Sequence, residues 1–541
     1  MRALPGRCWS SPELLTLASS AIVASIAIFG VIIDNPGEVP RADVLRPLAV
    51  GLFAAILIPA TLFAIGGALR YVAYAFPIAL FAFFKFPVFM NVAGFYGLHG
   101  PAMIYLSVAG MLAIVAAATI GFCRVDPSKV SKGIFIVVGA IVVAMSPDAI
   151  TSMFRSAGRG QSVAGEISSG IPAPVFSRAD LPDIIYIVPD RYGSEETLKR
   201  QFNQDNGAFY ADLERRGFYV ARDGRSNYAK TFTSLASALN MADLAPLNAR
   251  MGADAWERRP LQQLIRDNAV QRILRGAGYE YHHLGSWWGP NAQNPHADAN
   301  FYGVDTLWSK MSGFEKAILR LTPIAMIATD GASAERVECS RIKNQLDYIA
   351  EARARTSKPL YLFAHLTIPH PPVTMDETGK CRKHVYYPSV GTSWPEYQSA
   401  YAGYVVYLNK RLLEIFDAAK EADDERGLVF VIQADEGPYP KRLMQNGLMT
   451  MHDFTDGEVR EKFGIINAIY WDADAYDPPH LEETPINNWR IILSKISGDD
   501  ISLIDDERSW LMRSDTFVYD VKDVTPILRR SSPRAPEIQA N

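Results

Sequence analysis

Five apolar stretches follow one another within the first 150 residues, and they constrain the fold of the chain more than any other feature. A helix rises about 1.5 Å per residue, so about 20 apolar residues cross the hydrocarbon core of a bilayer. The stretches lie at residues 13–33, 46–68, 71–94, 101–122 and 132–150. A single stretch could be a buried core helix or a signal peptide, but five in series predict an α-helical bundle of about five transmembrane helices.

The rest of the chain has the composition of a linker followed by a soluble domain. Residues 151–180 are rich in Gly and Ser, contain Pro172 and Pro174, and lack apolar periodicity. Residues 181–541 carry charges and turn residues throughout. We therefore expect an anchor at 1–150, a linker at 151–180 and a globular domain at 181–541, and the net charge of −4 gives no indication of nucleic-acid binding.

Lysine and arginine in the short loops predict the orientation of the bundle. With the N-terminus inside, the inner loops hold six of them and the outer loops two, in agreement with the positive-inside rule. The inner residues are Arg2, Arg7, Arg70, Arg124, Lys129 and Lys132, and the outer ones are Arg41 and Arg46. An odd number of crossings then places the C-terminal domain on the periplasmic or extracellular side of a bacterial cytoplasmic membrane. Loss of the third stretch, which contains Lys85 and Pro87, would reverse this conclusion.

The cysteines of the C-terminal domain form a candidate disulfide. Cys339 and Cys381 are the two cysteines of this domain, and disulfides persist outside the cytoplasm. We expect them to be joined, with two free thiols as the alternative.

The C-terminal domain alternates strand and helix patterns. Apolar, β-rich runs at 183–188, 279–284, 360–365, 428–434 and 463–471 are separated by helical patterns at 195–216, 232–241, 262–275 and 397–422. Such alternation predicts an α/β sandwich with a largely parallel sheet, whose ligands bind at the carboxyl ends of the strands.

Acidic residues follow two of these strands directly. Asp190 comes after the run at 183–188, and Asp435 and Glu436 come after the run at 428–434. Surface acids after a strand are common, but carboxylates at two strand ends are well placed to share a cation.

A polar loop runs into an apolar helix between Ser226 and Met241. The simplest interpretation is that Thr231 or Thr233 caps the helix. A hydroxyl at this position also lies beside backbone donors and the positive end of the helix dipole, where an anion binds. A metal-bound threonine there could act as a nucleophile on a phosphate.

Histidines and tryptophans supply further candidates. His365 and His370 lie in a proline-stiffened segment directly after a strand, which favours a functional role over a structural one. His282 and His283 point to opposite sides of their strand, and we favour His283 as facing a site. The segment Gly285–Pro290 contains two tryptophans, of which Trp287 is a candidate for substrate contact, although buried tryptophan is more common.

These segments, in this order, resemble the sulfatase-like branch of the alkaline phosphatase superfamily over about residues 180–475. The anchored plan is similar to that of lipoteichoic acid synthases and of phosphoethanolamine and phosphoglycerol transferases. The resemblance implies that Asp190 is the first metal-binding aspartate and Asp435 the aspartate of the D-H-G tripeptide. It implies that Thr231, which opens a T-x-x-S pattern, is the nucleophile, with Thr233 as the alternative, and that His370 of the P-H-x-P segment contacts substrate.

Two positions depart from the family pattern. Glu436 stands where the family has histidine, and Arg191 replaces the usual glycine. The implied ligands Asp190, Thr231, Asp435 and Glu436 are all oxygen donors, so we expect one divalent cation, Mn²⁺ or Mg²⁺ rather than Zn²⁺. The Cys/Ser-x-Pro-x-Arg motif of true sulfatases does not occur at any cysteine or after Thr231.

The expected activity is a metal-dependent phosphotransferase or hydrolase with a threonine-bound intermediate. It would move a phospho-alcohol headgroup from a membrane lipid donor to an envelope glycan or lipid acceptor, with His365, His283 and Trp287 as further substrate contacts. The alternatives are a sulfuric or phosphoric ester hydrolase and a catalytically inactive envelope binding or structural protein.

Overall fold

A computed structural model of the chain divides it into two compact units. The structure describes residues 10–34, 39, 41–95, 100–154, 161–171, 173–176, 181–255, 257–326, 334–386, 392–422, 426–445, 450–472, 484–505, 507–514 and 517–529. The membrane unit comprises Met1–Ala157 and Thr306–Gly331, and the α/β unit comprises Gly158–Asp305 and Ala332–Asn541.

The membrane unit contains the apolar helices expected from the sequence. They are α1 (Ser11–Asp34), α2 (Arg41–Ile65), α3 (Leu69–Phe84), α4 (Phe86–Phe95), α5 (Gly100–Arg124) and α6 (Pro127–Phe154). Among the described residues, four helices are long and apolar enough to cross a membrane, and α3 and α4 form a pair bent by 57°. The bundle thus has four spans, or five if the bent pair is one span, and the bend lies at Lys85 in the third predicted stretch.

Helices α1 and α6 run in the same direction. They pack against each other extensively, and the hydroxyls of Thr16 and Ser131, each near the start of its helix, lie 3.2 Å apart. If the two helices were antiparallel, a contact between their first turns would leave the rest of each helix without the other as a neighbour. Because α1 and α6 pack along much of their length, they must be parallel.

Most of the remaining α-helices lie in the α/β unit, and two lie in the membrane unit. These are α7 (Gln161–Ser169), α8 (Glu195–Phe202), α9 (Gly207–Arg215), α10 (Thr231–Ala238), α11 (Ala245–Met251), α12 (Arg259–Arg266), α13 (Ala269–Gly276), α14 (Leu307–Lys310), α15 (Gly313–Arg320), α16 (Ala334–Ala350), α17 (Trp394–Glu421), α18 (Lys441–Gln445), α19 (Asp456–Phe463), α20 (Pro485–Ser497) and α21 (Thr525–Arg529). Of these, α14 and α15 belong to the membrane unit.

The segment containing α14 and α15 is an excursion that the expected domain boundaries missed. Helix α15 begins with a capping box between Ser312 and Glu315 and buries Phe314 and Ile318 against Ile28 and Val44 of the bundle. Glu315 also forms an ion pair with Arg46 at the start of α2. The apolar face of α15 explains why this segment packs with the membrane helices.

Helix α7 lies in the stretch expected to be a linker. Its Ala164 is fully buried in the core of the α/β unit, and the Ser168 hydroxyl donates to the backbone carbonyl of Asp267 at 2.9 Å. The Gly- and Ser-rich composition of residues 151–180 predicted a linker, but part of this stretch forms a short helix whose small residues pack closely against the α/β unit.

A seven-stranded, largely parallel sheet forms the centre of the α/β unit, as expected. The strands are β1 (Asp183–Pro189), β2 (Tyr219–Val220), β3 (Glu280–Leu284), β4 (Ala299–Phe301), β5 (Leu360–Leu366), β6 (Val373–Met375), β7 (Cys381–Tyr386), β8 (Leu428–Gln433), β9 (Asn467–Trp471), β10 (Trp510–Met512) and β11 (Val521–Asp523). The main sheet has the order β2-β9-β8-β1-β5-β3-β4, and β6–β7 and β10–β11 form two small ribbons. Within the main sheet, β2 and β9 are antiparallel to their neighbours.

Strand β1 is buried on both faces, which accounts for its continuous apolar sequence. Ile184, Tyr186 and Val188 contribute to one core, and Ile185 and Ile187 contribute to the other. The two cores lie on opposite faces of the sheet because side chains alternate along a strand. This is the α/β sandwich that the sequence predicts.

Two of the expected helices are each divided in two. The pattern at 195–216 forms α8 and α9, because Asn203 ends α8 in the left-handed region at φ 54°. The pattern at 262–275 forms parts of α12 and α13, because the Asn268 side chain accepts from the backbone N–H of Gln271 and starts a new helix.

A disulfide joins Cys339 of α16 to Cys381 of β7, with the two Cα atoms 5.8 Å apart. The expected pairing is confirmed. The bond closes a chain segment that includes β5 and the His365–Pro372 loop.

Candidate active site

Three neighbouring parallel strands, β8, β1 and β5, bring three titratable side chains together at their carboxyl ends. Asp190 follows β1, Asp435 follows β8, and His365 lies in β5 opposite Val188. The Nε2 atom of His365 lies 3.7 Å from an oxygen of Asp190 and 3.7 Å from an oxygen of Asp435. One potential ligand atom from each of these residues lies within 4.8 Å of the others, which is a spacing suited to a metal ion.

The hydrogen-bonding state of these buried groups fits a cation. In the described part of the chain, Asp190 Oδ1, Asp435 Oδ2 and both ring nitrogens of His365 have no hydrogen-bond partner, although all three residues are almost fully buried. Buried polar atoms without partners are costly, and a shared cation would satisfy them together.

The two carboxyls influence each other's ionisation. Burial, and next the negative charge of Asp435, raise the pKa of Asp190 well above its usual value. Burial would also raise the pKa of Asp435, but the imidazole of His365 and the hydroxyl of Thr231 outweigh it, so the pKa of Asp435 is lowered. A cation between them would favour the ionised form of both.

Thr231 is the first residue of α10, and the interaction of its hydroxyl with the Asp435 carboxyl contributes to the lowered pKa of Asp435. The N-cap residue is Lys230, so the expectation that Thr231 or Thr233 caps the helix is wrong. Thr233 is buried and its hydroxyl donates to the backbone carbonyl of Lys230 at 3.0 Å. Of the two threonines, Thr231 is therefore the one that meets the cluster of Asp190, His365 and Asp435.

Glu436 forms ion pairs beside this cluster. One carboxylate oxygen lies 2.8 Å from Nε of Arg191, and the other lies 3.0 Å from Nζ of Lys462. Lys462 at the end of α19 also donates to the backbone carbonyl of Gly437 at 2.9 Å. Desolvation lowers the pKa of Lys462 to about 8 despite the attraction of Glu436. The spacing in the sequence gave no signal for Lys462, since a lysine near a helix end is ordinarily solvated.

Arg191, a departure from the glycine expected from the sequence, has a backbone conformation that favours glycine. Its φ is 63°, in the left-handed region that side chains other than glycine rarely adopt. Its backbone N–H donates to Asp435 Oδ1 at 3.3 Å, which links the ends of β1 and β8.

Three cations surround the ring of Tyr439. The charged groups of Arg191, Lys230 and Lys462 lie 4.3, 4.8 and 4.1 Å from its centroid, within the range of cation–π contacts. We call Arg191, Lys230 and Lys462 the basic triad. Glu436 forms ion pairs with two members of the triad, Arg191 and Lys462, so the triad places three basic side chains next to the end of β8.

His370 lies beside Trp287, with ring centroids 5.8 Å apart, and Trp288 contacts His365 at 6.1 Å. Trp287 is 40% exposed. Burial, followed by the charge of Arg191, lowers the pKa of His370 well below its usual value. Its Nδ1 bonds to the backbone carbonyl of Pro371, so in the neutral ring Nδ1 carries the hydrogen and Nε2 keeps a lone pair.

His283 is held inside the protein. Its Nδ1 lies 3.0 Å from the Tyr281 hydroxyl and its Nε2 lies 3.1 Å from the backbone carbonyl of Asn291. Burial lowers the pKa of His283 to about 4. His282 bonds to Glu280 and Tyr348 on the other side of the strand. The structure thus brings Asp190, Thr231, His365, Asp435 and Glu436 together, with His370 and Trp287 in mutual contact, and engages both ring nitrogens of His283 elsewhere.

A parallel α/β sheet with carboxylates, an imidazole and a helix-N-terminal hydroxyl at its strand ends is typical of α/β proteins that bind their ligands at this edge of the sheet. The family model named Sulfatase matches residues 182–468, more than half of the chain. The chain belongs to the sulfatase family.

Several solved structures are similar to the chain, and one of them is a membrane-bound transferase. The integral membrane protein lipooligosaccharide phosphoethanolamine transferase A (EptA) from Neisseria meningitidis is 14% identical, with 90% of this chain and 95% of that chain covered at a TM-score of 0.40. The C-terminal periplasmic domain of EcEptC from Escherichia coli is 11% identical, with 67% and 98% covered at a TM-score of 0.42.

A protein in the alkaline phosphatase superfamily from Vibrio parahaemolyticus is 12% identical, with 66% of this chain and 82% of that chain covered at a TM-score of 0.38. No match was found among curated protein sequences.

Proposed function

We propose that the chain is a membrane-anchored enzyme that cleaves a phosphate ester through a covalent bond to Thr231. The observation that carries this proposal is the contact of the Thr231 hydroxyl with Asp435, beside the unpartnered buried groups of Asp190 and His365. A hydroxyl is a weak nucleophile unless an adjacent base or a bound metal activates it. Asp435 could act as such a base, and Asp190, His365 and Asp435 could hold such a metal.

The proposed metal ligands are Asp190, His365, Asp435 and Thr231. This set differs from the one expected from the sequence, in which Glu436 was a ligand and His365 a substrate contact. Both carboxylate oxygens of Glu436 already face cations, which supports a role as counter-ion to Arg191 and Lys462. His365 supplies an imidazole from the neighbouring strand, so it compensates for the histidine that Glu436 replaces.

The revised set changes the argument about the identity of the metal. An imidazole together with two carboxylates suits Mn²⁺ better than Mg²⁺, and it also suits Zn²⁺. We therefore keep Mn²⁺ from the original expectation and regard Zn²⁺ as its competitor. When bound, such a cation lowers the pKa of a coordinated hydroxyl and neutralises a phosphate oxygen.

The proposed transfer has two steps. First, Thr231 Oγ1 forms a bond to phosphorus, the bond from phosphorus to the donor alcohol breaks, and the hydroxyl proton passes to the departing alcohol. Second, an acceptor hydroxyl attacks phosphorus, the bond to Thr231 breaks, and the acceptor's proton returns to the Thr231 oxygen. The lone pair on Nε2 of neutral His370 suits this residue to carry that second proton.

The basic triad supports an anionic ester as the substrate. The triad places three basic side chains near the proposed nucleophile, where their positive charges would stabilise the negative charge of a phosphodiester. The exposed ring of Trp287 next to His370 offers an apolar surface to the alcohol portion, which supports its place among the substrate contacts.

A periplasmic position of the α/β unit supports a lipid donor and an envelope glycan or lipid acceptor. The parallel packing of α1 and α6 requires that α2 to α5 return the chain to the starting side, which a single crossing by the bent α3–α4 pair achieves. We therefore propose five crossings, with the N-terminus inside. Anchoring at the membrane raises the effective concentration of the enzyme for a lipid donor.

The experiment that tests this proposal is mass spectrometry of purified protein after incubation with bis-p-nitrophenyl phosphate and each metal in turn. We expect release of p-nitrophenol and an adduct on the peptide that contains Thr231. Turnover without an adduct would favour a hydrolase that uses activated water. Absence of both turnover and metal binding would favour the inactive binding or structural protein.

A further inference from the structure

The membrane unit contains a cavity of about 710 Å³ between α2, α3, α5 and residues 310–324 of the excursion. We propose that this cavity holds an acyl chain of a bilayer phospholipid, with the lipid phosphate bound at the rim by Arg46 and Lys310. Ligand pockets of proteins commonly span about 300–1,000 Å³, so the volume is that of a binding site rather than a packing defect.

The walls of the cavity are apolar along their length. On α2, Val50, Ala54 and Ile58 lie one turn apart and face the cavity, and Phe76 and Leu80 of α3 form the opposite wall. Residues 46 to 58 of a helix rise about 18 Å, which is close to the depth of one leaflet in a hydrocarbon core of about 30 Å. The length and chemistry of the cavity match a lipid tail.

Charged groups among the lining residues occur at one end. Arg46 lies in the second turn of α2, Lys310 ends α14, and Glu315 pairs with Arg46. Of these three lining residues, Arg46 and Lys310 are basic and Glu315 is acidic. The side chain of Arg46 is 68% exposed despite its ion pair, so its guanidinium can also meet a ligand.

This charge pattern selects a phospholipid among apolar ligands. A phosphodiester placed where the hydrocarbon core ends would meet the excess positive charge, whereas a neutral lipid would gain nothing from it. The excursion is the element that makes the site, because Ile318 and Leu319 close one wall and Lys310 supplies a rim cation. The proposal does not depend on the proposed reaction, since all of these residues belong to the membrane unit.

The test uses photolabelling of the full chain in phosphatidylglycerol vesicles. The probe is phosphatidylglycerol with a diazirine midway along one acyl chain, and a diacylglycerol with the same labelled chain is the comparison. We expect the phospholipid probe to label peptides from residues 50–58 and 310–324 in the wild type, and the diacylglycerol to label them about ten-fold less.

Two glycine variants form a matched pair. A Cβ added at Gly51 meets only Ile28 and Ala24, at 3.7 and 4.0 Å, so Gly51→Leu extends into the cavity that Gly51 lines. A Cβ at Gly121 of α5 meets nothing within 4 Å, so Gly121→Leu adds the same side chain outside it. We expect Gly51→Leu to reduce the labelling about ten-fold and Gly121→Leu to leave it unchanged.

The rim is tested separately by Lys310→Gln, which we expect to reduce labelling by the phospholipid and not by the diacylglycerol. Equal labelling of the two glycine variants, or equal labelling by the two probes in the wild type, would overturn the proposal. Cross-links from these peptides to a second copy of the chain would also overturn it, since the cavity would then be a protein interface.

Discussion

The hydroxyl of Ser234 donates a hydrogen bond to the backbone carbonyl of Asp435 at 2.6 Å. Ser234 lies three residues after Thr231, almost one turn of α10, so both hydroxyls face the end of β8. Ser234 bonds the backbone carbonyl of Asp435, and the Thr231 hydroxyl interacts with the Asp435 carboxyl and lowers its pKa. The T-x-x-S pattern therefore fastens the helix to the strand and presents the first threonine to the cluster of Asp190, His365 and Asp435.

We expect Thr231→Ala to abolish phosphodiester turnover and the covalent adduct, because it removes the proposed nucleophile. Thr233→Ala is the matched control. It removes a bond to the Lys230 carbonyl, which costs about 1 kcal/mol of stability and leaves the reacting atoms in place. Steady-state rates and intact-protein mass spectra check both variants.

An inactive Thr233→Ala beside an active Thr231→Ala would contradict the assignment of Thr231. Wild-type rates in both variants would mean that no threonine of this helix is the nucleophile.

We expect His365→Ala to weaken divalent-metal binding at least about a hundred-fold, since removing even an outer-shell partner can cost 10–100-fold. Glu436→Gln should retain the metal, because Glu436 faces Arg191 and Lys462. Its effect should instead be on stability, by about 3–5 kcal/mol, because two buried cations lose their partner.

Metal content after dialysis and the midpoint of thermal unfolding measure the two effects separately. His452→Ala, at an exposed position, is the control. Loss of metal in Glu436→Gln with retention in His365→Ala would restore the all-oxygen ligand set.

We expect replacement of Cys339 and Cys381 by serine to lower the stability of the α/β unit by about 4 kcal/mol, the chain-entropy value for their separation of 42 residues. The closed segment includes His365 and His370, so activity should fall at temperatures where the wild type is still fully active. Thermal unfolding of both proteins, with peptide mapping of the wild type without reductant, checks this. Free thiols in protein isolated from the envelope would contradict the pairing.

The sequence predicted those parts of the fold that depend on local pattern. The run at 183–188 had to be a buried strand, and Asp190 and Asp435 followed from the rule that ligands gather at strand ends. The division of these two helices was missed because an asparagine does not interrupt the apolar pattern of a helix. The left-handed backbone of Asn203 and the capping bond of Asn268 become apparent only in the structure. The excursion at 306–331 was missed because α15 has only eight residues, and the apolar face of so short a helix could pack against either unit.

The candidate site was only partly predictable, for a related reason. His365 was singled out, but its contact with both aspartates depends on the alignment of β5 with β1, which no local pattern specifies. One of the two ion-pair partners of Glu436 is Lys462, which is 26 positions away on α19 and meets it only because the end of that helix lies beside the segment after β8. The sequence therefore identified the candidate residues, but not which of them contact each other, because those contacts join segments that are far apart in the chain.

The proposed five crossings predict the location of two reporter sites. A C-terminal alkaline phosphatase fusion should be active, and one placed after Asp126, between α5 and α6, should be inactive. Green fluorescent protein exported by the general secretory route should give the opposite pattern. An active reporter at Asp126 would mean that the α3–α4 pair does not cross the membrane and would reverse the orientation of the α/β unit.

The ionisation of His283 predicts a pH dependence of stability. Burial, opposed by the Asn291 carbonyl and assisted by the charges of His365 and Arg266, lowers the pKa of His283 to about 4 from 6.5. The unfolded chain therefore binds more protons than the folded chain between these values, so stability is fully present above pH 6.5 and is lost as the pH falls towards 4. The full effect is about 3 kcal/mol, because one pKa unit corresponds to about 1.4 kcal/mol.

We expect His283→Gln to unfold at a lower temperature than the wild type at pH 7.5, because it loses bonds to Tyr281 and Asn291. Its unfolding midpoint should nevertheless fall less between pH 6.5 and 4, since the titrating group is gone. The exposed His452→Gln is the control and should keep the wild-type slope. A slope unchanged in His283→Gln would show that other groups cause the acid sensitivity, and that the imidazole of His283 is not held neutral by its surroundings.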